Sequence, residues 1–143
     1  MSFFHVSGFD QAIPMYCSTS STIVANQLVV FDRSNGKVIP ATAALLTEDN
    51  AGVSQNTPAA GDSWVNVIAI IGNPSQIWQW DCTNNTATNQ LCKRSLLTDG
   101  LTVNNTATDQ AVDETVVTPL RNIGAAADKK QQGYINLVPA TLS

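Results

Sequence analysis

Turn signals that recur at short intervals are the feature that most constrains the fold of this chain. Asn35-Gly36 stands between NQLVVFD and KVIPAT, and Asp99-Gly100 stands between LCKRSLL and LTV. Asn-Gly and Asp-Gly between apolar runs are strong hairpin signals, because their backbones tolerate a positive φ. Nearly every apolar segment is short and ends at such a signal, and no helical pattern exceeds about two turns. The spacing predicts an all-β fold, a small β-barrel or a β-sandwich.

The individual strands follow from the same pattern. Strands are predicted at residues 22–32, 63–71, 77–82 and 134–139, and a strand at 114–124 is interrupted by Pro119, which predicts an edge or a bulge. Residues 45–62 are predicted to form a loop, Gly72-Asn73-Pro74 a turn, and residues 125–133 a short helical turn or a loop. Strict alternation puts Trp78 and Trp80 on one face, which is either core or an anchor for a partner.

The first twenty residues differ from the rest. We predict an extended N-terminal arm at residues 1–20 and a single β-rich domain at residues 21–143, since 143 residues suit one domain. A disordered tail would have few aromatic residues, so the arm packs either on its own domain, as an edge strand, or on a neighbouring protein. On the second alternative, its large apolar residues are the predicted partner-binding residues: Phe3, Phe4, Phe9, Ile13 and Tyr16.

A seven-residue repeat occurs in the second half of the chain. NNTATNQ begins at Asn84, and NNTATDQ begins twenty residues later at Asn104. Both copies fit the N-glycosylation pattern, but residues 1–21 carry no Lys or Arg and no continuous apolar run, so we expect no signal peptide. The alternatives are chance and geometry. We favour geometry: a strand out, a turn at Asp99-Gly100 and a strand back would place both copies, as loops, at one end of the same sheet.

Composition excludes several classes of partner. Charged residues make up 13% of the chain and the net charge is −4, with no basic patch of the kind that neutralises phosphates, so we expect no nucleic-acid partner. Asn66 breaks the longest apolar run, WVNVIAII, so no segment approaches the ~18 residues that span a bilayer, and we expect no membrane partner.

Catalytic and metal-binding patterns are absent from the sequence. His5 is the only histidine, the acid pairs Glu48-Asp49 and Asp113-Glu114 point to opposite faces of an extended chain, and no phosphate loop, HExxH or CxxC occurs. We therefore predict no enzyme, no cofactor and no metal. The three cysteines, an odd number without a signal peptide, favour reduced thiols, although Cys82 and Cys92 flank the first repeat and a disulfide between them stays open.

Several segments resemble one family. QIWQWDCTNNTATNQLCKRSLLTDG is similar to the IWQV-D strand and the Ala/Thr loop of tailed-bacteriophage head decoration (cement) proteins. TPLRNIG and YINLV follow where that family has LRILGL and VRIN, and the earlier stretch NQLVVFDRSNGKVIPATA resembles the G-LVVF–GGKV-PAT hairpin of the family. The order and spacing of these segments together carry the resemblance.

The resemblance implies a structural virion protein of the capsid surface, made in the host cytoplasm. Its partners would be the phage major capsid protein, whose subunits it would bridge, and itself, as a trimer in the first instance or as a dimer. The alternative function is a receptor- or glycan-binding module of a head fibre or tail fibre, which the Thr/Asn-rich loops and the three tryptophans would suit. Burial of Trp78 and Trp80 would favour decoration, and exposure of that pair would favour glycan binding.

Overall fold

The computed structural model describes residues 3–42, 50–70, 75–108 and 115–140. Within these residues the chain forms eleven strands: β1 Phe3–Ser7, β2 Ala12–Tyr16, β3 Leu28–Asp32, β4 Lys37–Pro40, β5 Asn50–Ser54, β6 Trp64–Ala69, β7 Ile77–Cys82, β8 Ser95–Asp99, β9 Thr102–Thr108, β10 Thr115–Ile123 and β11 Lys130–Ala140. Short 3₁₀ helices occupy Thr88–Gln90 and Ala126–Asp128. The prediction of an all-β fold is confirmed.

One sheet closes into a small barrel. Its strand order is β1-β7-β11-β10-β8-β9, and β9 also pairs with β7, so that β7, β11, β10, β8 and β9 form a ring. All of these pairings are antiparallel except β7 with β9, which is parallel at Asp81 and Cys82. β1 lies outside the ring and pairs with residues 77–80 of β7. Closure pairs the edges that an open five-stranded sheet would expose, while β1 remains an outer edge strand.

The second sheet is open but strongly curved. Its order is β2-β6-β5-β3-β4, with all neighbours antiparallel. The two edge strands, β2 and β4, nevertheless approach each other to within 8 Å between Cα atoms. A narrow seam, rather than a wide gap, therefore separates the edges of this sheet.

Two apolar cores hold the sheets. The main core contains residues of both sheets, such as Leu28 and Val53 from the second and Trp78 and Trp80 from the barrel, so it joins the two sheets. A second core lies on the other face of the second sheet and includes Val29, Val65 and Val67. β3 is buried on both faces, because consecutive residues of its LVV run enter different cores.

The two predicted hairpins are present. β8 and β9 are joined through Asp99-Gly100, and β3 and β4 through residues 33–36. The β3–β4 turn comprises the four residues 33–36. It is not the two-residue Asn-Gly turn, which needs a positive φ at both residues, because only Gly36 has a positive φ. Its geometry is set by the Asp32 carboxylate, which accepts hydrogen bonds from Ser34 and from the backbone and side chain of Asn35. The side-chain hydrogen bonds from Asn35 and Ser34 lower the pKa of Asp32.

Two local predictions are wrong. The loop predicted over residues 45–62 contains β5, which is buried throughout. The polar ends of β5 resemble a loop in the sequence, because the side chains of Asn50 and Ser54 donate to the distant backbone carbonyls of Asn136 and Val24. The strand predicted over residues 22–32 begins only at Leu28, since Asn26 has a positive φ that ends extended structure before it.

The short helical turn or loop predicted over residues 125–133 is present only as far as Lys129, because β11 begins at Lys130, before the strand predicted at 134–139. The other strand predictions hold. β6 and β7 confirm the predicted strands, and a shift in register after Pro119 confirms the bulge in β10. The turn at residues 72–74 and both acid pairs lie outside the described residues. No helix among the described residues is long and apolar enough to cross a membrane.

The predicted arm is built into both sheets. Residues 3–7 form the outer strand of the barrel sheet, and residues 12–16 form an edge of the second sheet. The segment therefore packs on its own domain, which is the first of the two alternatives that the sequence left open.

The two repeats meet at one end of the barrel, as predicted. The Asn105 side chain of the second copy accepts from the backbone N–H of Asn84 and donates to the backbone carbonyls of Asn84 and Asn85 in the first copy, at 3.0–3.2 Å. The second copy is strand β9 rather than a loop as far as residue 108, and residues 109 and 110 lie outside the described part. The repeat thus forms an internal polar contact, in which Asn105 is fully buried.

Candidate interaction surface

Four of the five predicted partner-binding residues lie on the surface. Phe4, Phe9, Ile13 and Tyr16 are each between 42% and 46% exposed. Phe3 is fully buried, with its ring centroid 6.1 Å from that of Trp80, so its prediction as a partner-binding residue is wrong. The physical reason is alternation: Phe3 pairs with Trp80 and points into the core, whereas Phe4 pairs with Gln79 and points outward.

The exposed residues of β1, of the following turn and of β2 form one continuous stretch of chain. We call this stretch the N-terminal surface, and it comprises Phe4, Val6, Phe9, Ile13 and Tyr16. Large apolar side chains that remain exposed in a well-packed domain commonly mark an interaction site, although alternation along β2 turns Ile13 and Tyr16 to opposite faces of that strand. The stretch belongs to edge strands of two different sheets, so both sheets fix its position.

The turn between β1 and β2 is held by a buried glutamine. The amide of Gln76 donates to the backbone carbonyls of Phe9 and Ala69, at 2.7 and 3.1 Å. Gly8 has a φ of +93°, and a Cβ atom there would lie only 3.0 Å from the Cα of Gln76. The positive φ favours glycine at this position, and the close approach leaves little room for a Cβ atom. The turn therefore presents Phe9 in a fixed place.

An exposed aromatic pair extends the surface onto β6. Trp64 is 59% exposed, and its ring lies edge-on to that of Tyr16 at 5.8 Å between centroids. The two residues are cross-strand partners in the second sheet. The exposure of Trp64 could be predicted from the sequence. Trp64 and Asn66 are two residues apart, so they lie on the same face of the strand, and the polar Asn66 indicates that this face is towards solvent. Trp78 and Trp80, in contrast, are core residues.

A cleft lies next to the aromatic pair, at the seam of the second sheet. Its volume is about 400 Å³, and its walls come from β2 and from the β3–β4 hairpin, with Met15, Tyr16, Phe31, Arg33, Lys37 and Val38 among them. The Arg33 guanidinium lies over the Phe31 ring at 5.3 Å. The lining thus combines apolar side chains with charged groups of both signs, since Asp32 lies beside Arg33 and Lys37. The sequence did not predict it, because its walls are far apart along the chain.

In the described ranges there is no group of three or more His, Cys, Asp and Glu side chains that could hold a metal ion. His5 packs edge-on against Trp78, with 5.4 Å between ring centroids. The single histidine thus contributes to packing beneath β1.

The three cysteines are free and differ in accessibility. Cys17 and Cys82 are buried, and Cys92 is exposed. Burial raises the pKa of the Cys17 thiol and raises that of Cys82 to about 12, so at pH 8 both remain protonated.

We expect a thiol reagent to modify one cysteine per native chain at pH 8. Cys92 should react promptly, and Cys17 and Cys82 only after addition of denaturant, because a thiolate and access are both required. Mass spectrometry of digested, labelled protein measures the sites directly. Equal labelling of all three cysteines in native protein would contradict the assigned burial.

Comparison of this chain with protein-family models, with curated proteins and with solved structures finds no match.

Proposed function

We propose that this protein is a head decoration (cement) protein that binds the outside of a phage capsid and bridges neighbouring major capsid protein subunits. It would be made in the host cytoplasm and would act in the virion as a homo-oligomer, a trimer in the first instance. The observation that carries the proposal is the N-terminal surface, where Phe4, Phe9, Ile13 and Tyr16 are held exposed by strands of a rigid β domain. The resemblance in sequence to decoration proteins supports the same function.

The mechanism would be multivalent adhesion. A capsid lattice repeats one binding site many times, so an oligomer that engages several sites gains avidity without any additional type of contact. Binding to the assembled shell, and not to its open state, would stabilise the shell by mass action. Such a protein needs a stable scaffold and an adhesive face, and it needs no catalytic group.

The N-terminal surface also supports a second candidate, a receptor- or glycan-binding module. The observation in its favour is the Tyr16–Trp64 pair, because exposed aromatic rings stack on sugars. The burial of Trp78 and Trp80 argues the other way, since those two tryptophans are unavailable to any ligand. Decoration is therefore the better-supported function.

The test is binding to expanded, undecorated shells of the parent phage. We expect saturable co-sedimentation and a higher melting temperature of the decorated shell. Phe4→Ser should weaken binding about tenfold or more, because truncating an aromatic anchor at the centre of an interface commonly costs over 1 kcal/mol. Leu120→Ser is the matched control: Leu120 is 40% exposed on β10, away from β1 and β2.

Two results would count against decoration. The first is the absence of any binding to the shells. The second is an equal loss of affinity for Phe4→Ser and Leu120→Ser. In the first case, quenching of the fluorescence of Trp64 by host surface polysaccharide would support the glycan-binding alternative.

A further inference from the structure

The turn between β3 and β4 contains the only Asn-Gly step of the chain, at Asn35-Gly36. Asparagine followed by glycine is open to deamidation, because the backbone nitrogen of the next residue attacks the side-chain amide carbon and glycine has no Cβ atom to hinder it. Both residues are exposed, and a Cβ atom placed on Gly36 would meet no heavy atom of the described residues within 4 Å beyond its chain neighbours. Water and the attacking nitrogen therefore both reach Asn35.

The Asp32 carboxylate restrains the side chain that this reaction needs. The Asn35 side-chain nitrogen donates to Asp32 Oδ2 at 2.8 Å, and the Asn35 backbone N–H donates to Asp32 Oδ1 at 3.3 Å. The side-chain hydrogen bonds from Asn35 and Ser34 lower the pKa of Asp32, so this acceptor is ionised at neutral pH. To meet the Gly36 nitrogen, the Asn35 side chain has to turn towards the C-terminal side of the turn and leave Asp32, which lies three residues earlier.

We propose that Asn35 is a site of spontaneous deamidation and that Asp32 sets its rate by holding the side chain back. In the first step the Gly36 nitrogen loses its proton to hydroxide and bonds to Cγ of Asn35, and the amide nitrogen leaves as ammonia. In the second step water opens the resulting cyclic imide. Opening at Cγ gives aspartate, and opening at the main-chain carbonyl gives isoaspartate. The sum exchanges ammonia for water, and no electrons are transferred.

Either product loosens the turn. The new carboxylate stands where the amide donated to Asp32, so a hydrogen bond is replaced by two like charges in contact. Isoaspartate also adds a carbon to the main chain of a turn whose ends are fixed by the pairing of Asp32 with Lys37. Because Gly36 and Lys37 line the cleft, the reaction changes the shape and the charge of that wall. It needs no partner and is independent of the proposed decoration of capsids.

Incubation of the full chain at pH 8, followed by peptide mass spectrometry, tests the proposal. Asn35 should deamidate well before Asn85, which is also exposed but is followed by the β-branched Thr86. Asp32→Ala should accelerate the reaction at Asn35 about three- to tenfold, the factor that corresponds to one net hydrogen bond. Asp62→Ala is the matched control, because Asp62 is an exposed carboxylate that accepts a backbone hydrogen bond in another loop, and it should leave the rate unchanged.

A second comparison needs no substitution in the turn. Urea releases the side chain from Asp32, so Asn35 of the unfolded wild type should deamidate about three- to tenfold faster than in the native chain. Asn35→Gln should abolish the modification, since the longer side chain closes a larger ring less readily. A folded Asp32→Ala that reacts at the wild-type rate overturns the restraint, and so does an unfolded wild type that reacts no faster than the native one. Deamidation at Asn85 ahead of Asn35 overturns the site itself.

Discussion

Deletion of residues 1–18 will abolish the cooperative unfolding transition of this protein. The deletion removes β1 and β2, and with them one strand of each sheet. It also takes Phe3 out of the main core and Cys17 out of the second core, where both are fully buried. Domains of this size are stable by only about 5–15 kcal/mol, so losing part of two cores at once exceeds what the remainder can compensate.

A point variant separates this effect from the loss of backbone pairing. Phe3→Ala should destabilise the chain by about 3–5 kcal/mol, the usual cost of removing a buried phenylalanine. Phe4→Ala is the matched control, because it is the next residue on the same strand with its side chain in solvent, and it should change stability by no more than ~0.5 kcal/mol. Urea unfolding, followed by fluorescence of the buried tryptophans, measures both.

The result bears directly on how residues 1–20 act. An arm that only anchors the protein to a partner would leave a folded domain when removed. A cooperative melt of the deleted chain, close to that of the full chain, would therefore contradict the structural role of β1 and β2. Indistinguishable stabilities of Phe3→Ala and Phe4→Ala would contradict the burial of Phe3.

Short sequence patterns predicted the strands and turns whose conformation depends on their own residues. β7 was predictable because Trp78 and Trp80 alternate with polar residues, and the hairpin at Asp99-Gly100 because a turn of this kind needs only its own residues. β5 was missed because the carbonyls that accept hydrogen bonds from the Asn50 and Ser54 side chains are distant in sequence. Its Gly52, which reads as a loop signal, lies where a Cβ would collide with the carbonyl of Ile68, so it permits close strand approach instead.

The candidate site was predictable only in part. The concentration of large apolar residues before residue 20 identified the segment that contains the N-terminal surface. Exposed and buried side chains contribute equally to such a concentration. Composition cannot separate the two kinds, and the strand register, which places Phe3 inside and Phe4 outside, is set by pairing with β7. The cleft depends on the curvature that brings β2 towards β4, a property of the whole sheet.

Substitution of Asn105 by alanine should lower stability by about 2–4 kcal/mol. The Asn105 side chain is fully buried, and its loss would leave the backbone N–H of Asn84 and the carbonyls of Asn84 and Asn85 without that partner. It also contacts the side-chain oxygen of Gln90, which accepts a further hydrogen bond from the buried Gln131. Removing one member of a buried amide network costs the desolvation of the groups left behind.

The repeat supplies its own control for this prediction. Asn85 is the counterpart of Asn105 in the first copy, but its side chain is exposed, so Asn85→Ala should cost no more than ~0.5 kcal/mol. For a chain of this size, a loss of ~3 kcal/mol corresponds to a fall of roughly 6–12 °C in melting temperature. Calorimetry of the two variants measures the difference. Equal melting temperatures would show that the repeat does not act through this contact.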